Sequence, residues 1–121
     1  MEKARRIASA ALDKKAEDVV ALDVRGLVSF TDAFVIATGN SDRHVRSIVS
    51  GVGEALREQG EKTIGVEGEE EGRWVLMDFG DVIVHVFQRE VRQLYDLERL
   101  WGDAPRTEFD EGGAEARRTA P

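Results

Sequence analysis

Apolar residues fall at Ala4, Ile7, Ala8, Ala11 and Leu12, the spacing of one helical face, which predicts a helix over 2–16. Asp18–Val24 reads as a strand closed by Arg25-Gly26. Asp32–Thr38 reads as a second strand, and its near-continuous apolar run predicts burial on both faces. Gly39-Asn40-Ser41-Asp42 breaks that strand and starts a helix, with Ser41 as N-cap and Asp42 favourable against the helix dipole. Val45, Ile48, Val49, Val52, Ala55 and Leu56 carry its stripe to Gln59, and Gly60 stops it. Lys62–Val66 is a short strand, and Glu67–Gly72 an exposed acidic loop. Trp74–Phe87 reads as two strands joined by a tight turn at Phe79-Gly80-Asp81. Arg89–Trp101 is helical in composition, with Val91, Leu94, Leu97, Leu100 and Trp101 available for burial and Tyr95 beside them. From Gly102 to Pro121 the periodicity stops, and Phe109 is the one large apolar group in a stretch that reads as a disordered tail. The expectation is therefore a domain over 1–101 and a tail over 102–121. The order is αββαβββα, an α/β fold with a mixed sheet of about five strands and helices packed on it. The strand at 32–38, the long helix and the strand at 62–66 are expected to form a right-handed crossover.

A length of 121 residues suits one domain. The chain has no cysteine, which excludes disulfides, Cys-ligated zinc and a thiol nucleophile. Its 24 acidic and 17 basic side chains leave a net charge of −7. Gripping phosphate backbones normally requires a basic surface. An acidic chain is a poor reader of nucleic acid by itself, but opposite charge steers it toward a basic protein. The cations of the first helix, Lys3, Arg5, Arg6, Lys14 and Lys15, read as a solvated face, with an RNA-contacting face as the sharper alternative. No apolar run approaches the length of a membrane span, and no apolar signal core follows the N-terminus. A cytoplasmic location with no membrane contact is the expectation.

Three clusters are candidates for chemistry. Gly39-Asn40-Ser41, at a strand-to-helix turn, has the form of a phosphate-receiving loop. Joined to Asp78 and Asp81 as magnesium carboxylates, it would make a metal-dependent nucleotidyltransferase site. Against this, the two aspartates stand three apart across Gly80 rather than two apart on one strand, a spacing ordinary for turn geometry. His85, with Ile83 and Phe87 on its side of an apolar strand, reads first as a packed residue. His44 lies in the first helical turn beside Arg43, and neither histidine has a nucleophile and orienter near it in sequence. Trp74 opens a strand directly after the acidic loop. It is either a core residue or an interface anchor.

Several segments together resemble the ribosomal silencing factor, or Iojap-like, family. They are Thr31–Val45 with its Thr-Gly-Asn-Ser-Asp-Arg-His centre, Gly72–Phe87 with Trp…Asp-x-Gly-Asp-x-x-x-His-x-Phe, Arg92, and Tyr95-Asp96-Leu97-Glu98-Arg99-Leu100-Trp101. The resemblance covers residues 3–101, with Leu94 where an aromatic is frequent. It implies a nucleotidyltransferase-like fold without demonstrated transferase activity, hence no enzyme, cofactor or metal. It also implies binding to the large ribosomal subunit through large-subunit protein fourteen, which blocks joining of the small subunit and lowers translation when nutrients are short. A tendency to form homodimers comes with it. On this reading Trp74, Leu76 and Asp78 on one strand face, with Asp81 nearby, meet the basic ribosomal protein, and no sequence-specific nucleic-acid contact is expected.

Overall fold

The computed structural model describes residues 2–110 and the backbone of 115–119. The elements are α1 (Glu2–Asp13), β1 (Glu17–Asp23), β2 (Ala33–Gly39), α2 (Asp42–Glu58), β3 (Gly65–Glu67), β4 (Trp74–Asp78), β5 (Val82–Gln88), α3 (Arg89–Tyr95), α4 (Leu97–Leu100), β6 (Arg106–Phe109) and β7 (Glu115–Thr119). The strands form one seven-stranded mixed sheet in the order β3-β4-β5-β2-β1-β6-β7. β2 and β5 run parallel at its centre, and the other neighbours are antiparallel. The α/β class with a mixed sheet is as the apolar pattern requires.

Every residue of β2 is buried, because helices cover the sheet on both sides. Successive side chains point to opposite faces, so Ala33, Val35 and Ala37 join Val82, Val84 and Val86 under α1 and α2. Phe34 and Ile36 join Leu22, Phe87 and Val91 on the other face, beside α3 and α4. Ser41 caps α2 as expected, its Oγ accepting from the His44 N–H at 3.0 Å. α2 links β2 to β3, and β3 lies beyond β5 and β4 in the sheet, so the crossover passes over two strands before its chain rejoins the sheet.

Two expectations change. The helix over Arg89–Trp101 is broken at Asp96, whose left-handed backbone (φ 47°) ends α3 and starts α4. Aspartate tolerates that conformation where most side chains do not. Arg92, only 8% exposed, holds the broken segment to the sheet. It donates to the Asp18 carbonyl at 2.6 Å, the Thr38 hydroxyl at 2.8 Å and the Glu98 carboxylate at 2.9 Å. Burial alone would raise the Glu98 pKa, but hydrogen bonds from Arg92 and Arg106 outweigh it and hold the carboxyl below its usual range. The contact with Asp18 secures the irregularity in β1, where register shifts between Glu17 and Val20 and Asp18 itself has φ 50°.

The second change concerns the tail. Arg106–Phe109 pair with β1 in the register Val20↔Glu108, Ala21↔Thr107 and Leu22↔Arg106, so this part of the 102–121 segment extends the sheet instead of hanging free. β7 pairs with it in turn. Residues 111–114, 120 and 121 lie outside the described residues. Apolar periodicity is blind to such a strand, since its attachment is backbone pairing to β1 and β7 and its one large apolar side chain is Phe109.

Candidate functional site

The β4–β5 hairpin is closed locally. The Phe79 N–H donates to the Val82 carbonyl at 2.9 Å, and the Gly80 N–H donates to the Asp78 carboxylate at 2.8 Å. Gly80 has φ +88°, a conformation that glycine adopts without steric cost. Asp78 is thus a turn residue. Asp81, beyond the turn, forms an ion pair with Lys3 of α1 at 2.6 Å. Burial opposes the Lys3 charge, yet the hydrogen bonds it donates to Asp81 and Glu61 prevail and raise its pKa.

Alternation along β4 places Val75 and Met77 under α2, and leaves Trp74, Leu76 and Asp78 half-buried on the opposite face. The three candidate residues therefore share one face, as the sequence predicts. Trp74 pairs across the strands with Phe87, Leu76 with His85, and Asp78 with Ile83. Trp74 and Asp78 thus stand at opposite ends of β4, about 13 Å apart by strand rise.

Trp74 is held on three sides. Its ring stacks on Phe87 at 5.0 Å between centroids, leans on Tyr95 at 4.6 Å, and its Nε1 donates to His85 Nδ1 at 3.1 Å. His85 is 6% exposed. Burial pushes its pKa down from 6.5 to about 4, so the ring is neutral at pH 7. Because the folded value lies below the unfolded one, the unfolded chain binds the proton first. Stability is fully present above pH 6.5 and is lost as the pH falls through about 4, by as much as about 3 kcal/mol from this group. Chemical denaturation of wild-type and His85→Leu protein at pH 7 and pH 4.5 checks this, since the variant should lack that share of the acid destabilisation.

Several large apolar side chains are more exposed than the periodicity suggests. Leu94 (72% exposed), Leu100 (68%) and Phe30 (63%) are open to solvent, as is Tyr95. The sequence offered Leu94 and Leu100 for burial. Both are exposed instead: of α3 only Val91 and Arg92 are buried, and of α4 no residue. Phe30 escaped the sequence reading because it sits in the loop between β1 and β2. Its signal was a lone aromatic among turn residues, and it leads through Phe34 (6.4 Å) to Trp101 (5.9 Å from Phe34).

The alternative of a metal-dependent nucleotidyltransferase using Gly39, Ser41, Asp78 and Asp81 does not survive the geometry. β2 and β5 are parallel, with Ala33 beside Val82 and Gly39 beside Gln88. Asp81 accepts through its carbonyl from the Asp32 and Ala33 amides at the start of β2, whereas Gly39 is at its end. Six residue steps separate them, about 20 Å. The phosphate-like loop is also occupied by the protein's own atoms. The Asn40 N–H donates to His44 Nδ1 at 2.9 Å, and the other ring nitrogen donates to the Lys14 carbonyl at 2.8 Å. Gly39 is required for packing, because a Cβ there would lie 2.9 Å from the Val45 side chain and 3.0 Å from its amide nitrogen. The cationic face of α1 is also partly spent internally: Lys3 and Arg6 pair with Glu61, and Arg5 with Glu2. Among the described residues no group of three or more His, Cys, Asp or Glu side chains could hold a metal ion, and no helix is long and apolar enough to cross a membrane.

The whole chain, residues 1–121, matches the family model described as "Ribosomal silencing factor during starvation". A Bacillus subtilis protein named ribosomal silencing factor is 47% identical over 108 residues, covering 88% of this chain and 92% of its own. A mouse protein named "Mitochondrial assembly of ribosomal large subunit protein 1" is 31% identical over 91 residues, covering 73% of this chain and 40% of its own. A crystal structure from Chromobacterium violaceum superposes with a TM-score of 0.82 at 42% identity, covering 84% of each chain. The motifs around Trp74, the fold that displays it and these matches agree, and the chain belongs to the ribosomal silencing factor family.

Proposed function

We propose that this protein binds the large ribosomal subunit through the β4 face and, by its bulk, prevents the small subunit from joining, lowering translation under nutrient limitation. The observation that carries the reading is a half-buried, hydrogen-bonded Trp74 on one strand face with Leu76, leaning on the exposed Tyr95. A tryptophan fixed in place and left partly open is the usual form of an interface anchor. The partner is taken to be a basic protein of that subunit, large-subunit protein fourteen. The net charge of −7 opposes capture of bare RNA and favours such a protein. The mouse relative's name, which refers to assembly of a large ribosomal subunit, points to the same particle.

Within this contact Trp74 and Leu76 supply apolar area. Asp78 and Asp81 stand at the far rim as acids for lysine or arginine, with Asp81 shared with Lys3. The exposed Leu94, Tyr95 and Leu100 are suited to a second copy of the chain, and self-association through Tyr95 would compete with ribosome binding. A cytoplasmic site of action follows from the role. Immobilised protein incubated separately with purified large and small subunits tests the reading. Selective retention of the large subunit is expected, and equal retention of both, or of neither, would contradict it.

A further inference from the structure

Within the docking reading above, on which this inference rests, His85 is a residue that the proposed contact leaves unexplained. Its imidazole is buried in an apolar face, edge-on to Phe34 at 5.2 Å and stacked on Phe87 at 6.0 Å. Nδ1 accepts from the Trp74 indole, so the ring proton sits on Nε2, which is buried without a hydrogen-bond partner. An orphaned donor in such a place costs stability. A leucine would fill similar space without that cost. The gain that offsets the cost is the single acceptor offered to Trp74.

We propose that His85 is a positioning residue for docking: its Nδ1 fixes the Trp74 indole in one orientation before the ribosomal partner arrives. The side chain is two residues from Phe87 along β5 and shares its face, so it reaches Trp74 diagonally across the hairpin. Ring contacts with Phe87 and Tyr95 carry no direction within the indole plane, and the N–H bond to His85 supplies it. An anchor ordered in the free protein loses less entropy when it binds.

The test uses full-length His85→Leu and His85→Asn variants beside Trp74→Ala. Asparagine places its Oδ1 near the position of Nδ1 and restores the acceptor, while leaving a poorer fill. Leucine does the reverse. The expected result is a crossed pattern. His85→Leu should be at least as stable as wild type but bind the large subunit roughly 3- to 10-fold more weakly. His85→Asn should be less stable than His85→Leu yet bind more tightly. Indole N–H exchange followed by NMR, with Trp101→Phe assigning the Trp74 signal, should show protection in wild type and His85→Asn and loss in His85→Leu. Wild-type affinity in His85→Leu, or affinities that merely follow stability, would overturn the proposal. If Trp74→Ala also binds like wild type, the docking reading itself has failed, and the exchange data still report whether the indole bond exists.

Discussion

Trp74→Ala is expected to weaken capture of the large ribosomal subunit by at least ~30-fold, the loss of about 2 kcal/mol or more that truncating a central anchor produces. The fold should survive, because Trp74 is half-exposed on β4 and does not belong to the fully buried set. The neighbours that now hold it, Phe87 and His85, remain packed on Phe34 and Ile36. Some thermal stability should still be lost with the stacking on Phe87 and Tyr95. Circular dichroism at the binding temperature separates the two effects: a folded variant that no longer binds supports the anchor, and an unchanged affinity moves the interface elsewhere. Leu76→Ala should act in the same direction with a smaller effect, since its side chain offers less area.

Arg92→Met is expected to be the most damaging single change outside the apolar core, costing about 3 kcal/mol or more and lowering the melting temperature by roughly 10 °C. The guanidinium satisfies the Asp18 carbonyl, the fully buried Thr38 hydroxyl and Glu98 together. Methionine fills the space of the stem and abandons all three. Glu98 keeps its bond to Arg106 at 2.5 Å, which places the loss at the lower end for a broken buried pair. The consequence for function is indirect. α3 carries Tyr95 against Trp74, so a loosened α3 also frees one wall of the anchor. Thermal unfolding of the variant checks the first effect, and its subunit affinity below the melting range checks the second.

These expectations show what the chain discloses by itself. β2 was legible because burial on both faces leaves an unbroken apolar run, and α2 because its stripe, its Ser41 cap and its Gly60 stop agree. The β4–β5 hairpin was legible through alternation around Gly80. β6 was not, since a strand held by backbone pairing to β1 and β7 needs no apolar pattern. The break at Asp96 was hidden because an aspartate inside a helical composition carries no signal that its backbone will turn left-handed. At the site, the common face of Trp74, Leu76 and Asp78 followed from strand periodicity alone. The separation of Asp81, drawn to Lys3 some 78 positions away in sequence, and the bond from Trp74 to His85 required the tertiary structure. So did the distance between Gly39 and Asp81, which removes the proposed nucleotide site. Parallel register decides that distance, and no local pattern encodes it.

The central claim is that occupancy of the large subunit excludes the small one. It is tested most directly by mixing purified subunits under conditions that favour joining, with and without an excess of this protein, and sedimenting the products. Joined ribosomes should decrease as protein is added, the protein should travel with the large-subunit fraction, and Trp74→Ala should do neither. Undiminished formation of joined ribosomes, with the wild-type protein bound to them, would contradict it.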